Sequence, residues 1–280
     1  MIIGNTGIPD YALLDSGGGE KLEQFGDFKI IRPDPRAIWQ KSYSSRWEKA
    51  DAIYKDEKWQ KKLPVGEWTA GGMILKLTEF RHVGLFPEQS ANWHWLQQNI
   101  MSNIRVLNLF AYTGGATMAA VQAGAHVTHV DASKPALMWA SQNFKVHKLP
   151  VNKVRWMQDD AVKFVQREIR RGVFYDGIIM DPPRFGRGVG GEVWKIEENL
   201  PKLVDLCRQI LTPNPLFWLI NAYTADLSPI AIGQVLEDAT RTLGGKVTYD
   251  ELVIEQEENS QSEKKRFLPA GIVARWSKKI

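Results

Sequence analysis

From about residue 90 the chain alternates short apolar strands with amphipathic helices. That alternation constrains the fold more than any other feature of the 280 residues. "RVLNLF" (Arg105–Phe110), "HVTHV" (His126–Val130), "KVRWM" (Lys153–Met157), "DGIIM" (Asp176–Met180) and "LFWLI" (Leu216–Ile220) read as buried strands. Helices are predicted around and between them. One is capped by Ser90, one covers about 116–122 and ends at Gly124, and one starts at Ser133 with Pro135 in its first turn. Others cover about 160–171, stopped by Gly172, then about 200–211 and about 229–243. The last two strands, "KVTYDELVIEQ" and "FLPAGIVARW", have a charged loop and no helix between them. Strict alternation implies a parallel sheet with helices on both faces, and the helix-free end adds an antiparallel hairpin.

Before about residue 70 the texture differs. Short apolar runs are broken by Ser16-Gly17-Gly18-Gly19, Gly26-Asp27 and Pro33-Asp34-Pro35, which is hairpin punctuation. A small β-rich module over residues 1–70 and a larger domain over 71–280 are therefore expected. In the small module Trp39, Trp47, Trp59 and Trp68 interleave with Lys41, Arg46, Lys49 and Lys58. Such a surface suits base stacking, or the rings simply pack a small core.

Composition narrows the function classes. No apolar run approaches the roughly 18 to 20 residues of a membrane span. The start of the chain has neither a basic leader nor a long apolar core, so the cytoplasm is the expected compartment. Cys207 is the only cysteine, which excludes an intramolecular disulfide and a cysteine-rich metal site. His82, His94, His126, His129 and His147 show no metal spacing, and no metal is assigned. A net charge of +4 permits a phosphate-rich partner without requiring one. Basic clusters occur at Lys58–Lys62, at Arg167, Arg170 and Arg171, and at Glu263–Phe267, each also readable as a solvated face.

In an open parallel sheet, ligands bind at the carboxyl ends of the strands where strand order reverses. "LNLFAYTGGATMAA" places a loop at such an end. Gly114 and Gly115 let the backbone approach a ligand and expose amides at the next helix start. The first acid at the end of the following strand is Asp131, at the spacing of a ribose-binding carboxylate. Asp159 and Asp160 follow the third strand and stand where an adenine amine would be reached, though acids favour first helical turns anyway. The three spaced glycines of a dinucleotide loop are missing, which argues against NAD.

This ordered set, with "DPPRF" at Asp181–Phe185, resembles the class I S-adenosylmethionine-dependent methyltransferases over roughly residues 80 to 280. Within that class it is similar to bacterial methyltransferases of large-subunit ribosomal RNA, in which a stretch like "HVGLFPEQSANWHWL" precedes the loop. The resemblance implies a Rossmann-like, seven-stranded, mostly parallel sheet with an antiparallel terminal hairpin. It also implies S-adenosyl-L-methionine as cofactor. The residues it implies around the cofactor are Phe86, Pro87 and Gln89, then Asn108, Phe110, Tyr112, Thr113, Gly114 and Gly115, then Asp131 and Ala132, and finally Asp159, Asp160 and Ala161. Tyr112 can line the pocket beside the sulfonium or only pack.

The acid-Pro-Pro turn suits amine methylation, with Arg184 displacing the usual aromatic by one position. Asp181 and the Pro182 carbonyl can accept from an exocyclic amine while Phe185 stacks on the base; alternatively Asp181 caps the following loop. Arg184 and Arg187 suit phosphates, or serve as loop charges. Relatives that methylate carbon-5 of a pyrimidine carry a cysteine after the fifth strand, whereas here Asn221, Ala222, Tyr223 and Thr224 follow. Cys207 lies on an apolar helical stripe. Direct in-line transfer to nitrogen or oxygen is therefore expected, with RNA the favoured acceptor. A small-molecule acceptor and a noncatalytic cofactor- or RNA-binding protein are the rivals, and the oligomeric state is left open.

Overall fold

The computed structural model describes residues 2–5, 7–42, 44–60, 63, 66–187, 193–223, 226–258 and 265–278, with the backbone alone at Ser44 and Arg187. Parts of the Lys58–Lys62 and Glu263–Phe267 clusters, together with Thr224, lie outside the described residues. The chain forms two compact units. One comprises Ile2–Ala91 with Leu252–Ala270, the other Asn92–Glu251 with Gly271–Ile280. The first compact unit thus runs to Ala91 and takes in a late segment, where the sequence reading set a small module at 1–70.

In the N-terminal unit the strands are β1 (Ile2–Gly4), β2 (Tyr11–Gly17), β3 (Glu20–Phe25), β4 (Phe28–Pro33), β5 (Ala52–Lys55), β6 (Lys58–Trp59), β7 (Trp68–Ala70) and β8 (Met73–Leu75). A short helix, α1 (Ser44–Trp47), precedes β5. β2, β3 and β4 form an antiparallel meander turning at the two glycine-containing corners, β5 joins β4 in parallel, and β6 returns on β5. Trp47 is buried and Trp39, Trp59 and Trp68 are half-buried, and all four indole N–H groups find an acceptor. Trp39 donates to the Ser16 carbonyl, Trp47 to Asp15, Trp59 to the Thr78 carbonyl and Trp68 to the Phe25 carbonyl. A buried indole such as that of Trp47 needs such a partner, while the half-buried rings of Trp39, Trp59 and Trp68 keep part of their surface accessible.

The second unit begins in α2 (Ser90–Asn99) and continues β9 (Arg105–Leu109), α3 (Gly115–Gln122), β10 (His126–Asp131), α4 (Lys134–Val146), β11 (Val154–Gln158), α5 (Ala161–Arg171), β12 (Gly177–Met180), β13 (Phe185–Arg187), β14 (Val193–Lys195), α6 (Ile196–Arg208), β15 (Phe217–Ala222), α7 (Pro229–Thr240), β16 (Lys246–Glu255) and β17 (Phe267–Ser277). The division between units runs through α2, β16 and β17. Strand order is β16-β17-β15-β12-β9-β10-β11, with β1 beyond β16. β9, β10, β11, β12 and β15 pair in parallel, and β17 pairs antiparallel to β15, as the alternation predicted.

Local sequence explains the helix starts. Ser133, Asp160 and Ser228 each accept from the amide three residues on, and Pro135 and Pro229 occupy first turns. Ser90 departs from the prediction: it is the first residue of α2, and its hydroxyl donates to the Pro87 carbonyl to close a short 3-10 turn, Pro87–Gln89. α6 starts four residues earlier than expected. The segment read as a polar glycine loop contains a small hairpin, β13 against β14, because Phe185, Gly186 and Arg187 pair with Lys195, Trp194 and Val193. The core of this unit packs Leu107, Leu109, Val130, Ile178 and Met180 of the sheet against Phe164, Leu200, Leu203, Val204 and Cys207 of the helices, closed by Trp218 and Trp276. Strand order reverses between β9 and β12, which opens a crevice at their carboxyl ends.

Candidate active site

The chain leaves β9 through a tight turn that uses left-handed backbone three times, at Phe110 (φ 56°), Tyr112 (φ 45°) and Gly114 (φ 87°). For bulky residues that conformation is strained, by roughly 1 to 3 kcal/mol each, and it persists only where surrounding bonds over-determine it. Here they do. The Ala111 amide donates to the Val130 carbonyl, and the Gly114 amide to the Ala111 carbonyl. Asp131 clamps the turn, one carboxylate oxygen accepting from the Tyr112 amide (2.9 Å) and the other from the Ser133 amide (2.8 Å). Burial raises the Asp131 pKa, an effect partly offset by these two amides. Tyr112 is half-buried, and burial together with Asp131 pushes its phenol up to about 12.

α3 begins at Gly115 with no side-chain cap, whereas α4, α5 and α7 each have one. Its first turn thus lacks a side-chain cap, and helix-start amides left in that state suit an anion. Gly115 is required by a close approach: a Cβ there would stand 2.3 Å from the Trp93 ring. Beneath the turn lies a buried chain in which Asn108 donates to the Thr117 hydroxyl, itself 2.9 Å from Nδ1 of His129. Burial lowers the His129 pKa to about 3, so the ring is neutral. Asn108 therefore points into the fold, where it braces β9 against α3.

The other expected cofactor positions have identifiable local roles. Thr113 is buried, and its carbonyl accepts from Asn143. Ala132 is exposed next to Asp131, and Ala161 opens α5, buried. The Asp159 amide donates to the Asp131 carbonyl, and its carboxylate pairs with Arg167. Asp160 caps α5 through the Lys163 amide. Phe86, Pro87 and Gln89 belong to the N-terminal unit, Pro87 and Gln89 buried and Phe86 half-buried.

Asp181 follows β12, directly across the order reversal from the turn. Its amide reaches the Leu109 carbonyl (3.3 Å), and its carboxylate accepts from Nδ2 of Asn221 (2.8 Å) at the end of β15. Asn221 is buried, and among the described residues its side-chain oxygen Oδ1 has no hydrogen-bond partner. A buried acceptor left unpaired is costly, and such groups concentrate where function demands them. Pro182 is buried and Pro183 exposed, with the Pro183 carbonyl taking the Trp194 indole N–H. The Phe185 side chain stands 56% exposed, unusual for a phenylalanine and suited to receiving a flat ring. Arg184 pairs with Asp226 and lies 4.0 Å from Glu197, so a phosphate there competes with two carboxylates. The Arg187 side chain lies outside the described residues.

Three residues of this site were missed in the sequence: Asn221, Trp93 and Trp194, whose ring sits 5.2 Å from that of Phe110. A lone Asn at a strand end or a Trp on a mixed helix gives no periodic signal. Cys207 is fully buried and its thiol is strongly raised by burial, so it is no nucleophile.

A model of S-adenosylmethionine-dependent methyltransferases matches residues 57–214, more than half of the chain. A solved structure of a SAM-dependent methyltransferase from Agrobacterium tumefaciens is 41% identical, with a TM-score of 0.92 over 100% of this chain and 94% of that one. A second solved structure, a methyltransferase complexed with SAH, has a TM-score of 0.72 over 97% of this chain and 76% of that one; at 19% identity it speaks for the fold alone. Ribosomal RNA large subunit methyltransferase I of Salmonella arizonae is 34% identical over 155 residues, 50% of this chain and 36% of that protein. The protein of that name in Escherichia coli is 38% identical over 109 residues, 39% of this chain and 25% of that protein. The chain thus spans about a third or less of the length of these curated relatives.

Proposed function

Because the chain belongs to the S-adenosylmethionine-dependent methyltransferase family, we propose that it transfers a methyl group to RNA, with ribosomal RNA the favoured acceptor, in the cytoplasm. The observation that carries the reading is the strained turn clamped by Asp131, with Asp181 held by Asn221 on the opposite lip of the same crevice. The site's donor set fits the cofactor. Asp131 offers carboxylate oxygens to ribose hydroxyls, the uncapped start of α3 offers amides to a carboxylate, and no three-glycine turn provides for a pyrophosphate. S-adenosylmethionine, when bound, supplies a methyl group on a positively charged sulfur.

The protein's task is then to position a nucleophile in line and keep it there. Phe110 and Tyr112 line the crevice; Phe86, Pro87 and Gln89 are cofactor neighbours only as the family resemblance implies. Asp181 and the Pro182 carbonyl accept from the acceptor's amine, and Phe185 stacks on its ring. Asn221 fixes the Asp181 carboxylate in the orientation this requires. The lack of a cysteine among the described residues after β15, with Cys207 sealed in the core, supports transfer to nitrogen or oxygen without a covalent enzyme adduct.

A small-molecule acceptor is the second reading. It is favoured by the commitment of Arg184 to Asp226 and Glu197, which removes one expected phosphate contact. The deciding experiment incubates methyl-labelled S-adenosylmethionine with ribosomal RNA from a strain lacking the gene and maps the labelled nucleotide. Label in RNA, reduced at saturating substrate in Asp181→Ala with cofactor affinity little changed, is the expected result. Label found only in small molecules, or an Asp181→Ala enzyme of full activity, would overturn it.

A further inference from the structure

Residues 134–171 carry nine Lys and Arg against three Asp and Glu. That excess of six exceeds the whole chain's net charge of +4, so the rest of the sequence is net negative. The segment is α4, β11 and α5, and β11 is the terminal strand of the sheet. Both helices run back from the carboxyl ends of the strands, so their last turns flank the start of β11 on opposite faces. Phe144 of α4 meets Trp156 on one face, and Arg155 reaches Phe164 of α5 on the other.

The charges segregate along this edge. Asp159 and Asp160 sit at the carboxyl end, engaged by Arg167 and by the α5 cap. At the amino end stand Lys145, Lys148, Lys153, Arg155, Arg170 and Arg171. The segment's one acid there, Glu168, is fully buried and spends its carboxylate on Arg155, Arg171 and the Tyr175 hydroxyl. Arg155 and Arg171 nevertheless keep 43% and 55% of their side chains exposed. Lys145, Lys148 and Arg170 are exposed with no ion-pair partner among the described residues. Helix dipoles and the protection of an edge strand each favour a cation or two here. Neither requires six.

We propose that the amino end of β11 is a docking surface for the phosphate backbone of RNA, a surface remote from the methyl-transfer crevice. The proposal rests on the RNA reading above. β11 has five residues, so the surface lies about 17 Å along the sheet edge from the strands' carboxyl ends, a distance a folded RNA spans and a small acceptor does not. A cluster of cations that contacts phosphates positions a backbone and carries no sequence preference.

The test uses the full chain and the triple variant Lys145→Gln, Lys148→Gln, Arg170→Gln, whose side chains make no ion pairs among the described residues. The probe is a fluorescein-labelled single-stranded RNA of mixed sequence, titrated at several salt concentrations. If all three meet phosphates, the salt slope of log Kd falls by about two and affinity at 0.1 M salt drops roughly 100-fold. Melting temperature and S-adenosylmethionine affinity should stay as in wild type. Equal affinity and slope in the variant would overturn the surface, while RNA labelling by the wild type would leave the functional reading standing. A wild type that neither binds nor labels RNA would remove both. Binding to phosphatidylserine vesicles but not to the RNA would also overturn the proposal.

Discussion

Replacing Asp131 by alanine removes two hydrogen bonds to one carboxylate and, with them, the clamp on a turn that stores backbone strain. The Ser133 amide is exposed and rehydrates at little cost. The Tyr112 amide lies within the left-handed turn, and leaving it unpaired costs about 1–3 kcal/mol. For a chain of this size that corresponds to a fall in melting temperature of several degrees, at roughly 2–4 °C per kcal/mol. If the same carboxylate takes the ribose hydroxyls, its loss also weakens cofactor binding by about 1–3 kcal/mol, or about 5- to 150-fold. Asp131→Asn should behave like alanine, because its NH2 end must face one of two amide donors. Burial raises the carboxylate's pKa, so in the wild type cofactor affinity should begin to fall, on acidification, at a higher pH than for an ordinary aspartate. Calorimetric titration with S-adenosylmethionine, run beside thermal melts, separates the two roles. Affinity within twofold of wild type in either variant, with the melting temperature lowered, would show that Asp131 only clamps the turn.

Asn221→Ala should lower turnover with little change in cofactor affinity, since it removes one bond that orients the Asp181 carboxylate without touching the turn; an unchanged single-turnover rate would refute the positioning role. Gly115→Ala must displace Trp93, an overpacking cost of about 1–3 kcal/mol visible in denaturant melts, and equal stability would mean that the ring moves freely. Cys207→Ala should leave methyl transfer intact with at most about 1 kcal/mol lost, and a covalent adduct between Cys207 and a fluorinated pyrimidine acceptor would contradict the in-line mechanism. His129 is held neutral with its pKa depressed to about 3, while the unfolded chain takes the proton near 6.5. Its contribution is complete above about pH 6.5 and declines toward pH 3 by about 1.4 kcal/mol per unit, so His129→Gln should flatten the acid limb of stability; parallel slopes would refute this.

The alternation of strands and helices was legible because period and capping are properties of neighbours along the chain. Residues of "RVLNL" are buried on both faces, Ser133, Asp160 and Ser228 cap where sequence places them, and Gly114 takes the left-handed turn its lack of a Cβ permits. The same local rules misread Ser90, whose hydroxyl finds a nearer carbonyl, and the "RFGRG" segment, whose pairing partner Val193–Lys195 lies beyond Gly188, Gly190 and Gly191 in the sequence. Tertiary structure alone decided the rest. β12 inserts beside β9 because their buried faces match across the sheet, and only that places Asp181 opposite the turn. Asn221 reaches Asp181 from 40 residues away, Trp93 dictates a glycine at 115, and Leu252–Ala270 packs with a unit that begins at the other end of the chain. Each of these contacts depends on which surfaces share a buried face after folding, and spacing along a single sequence carries no record of that.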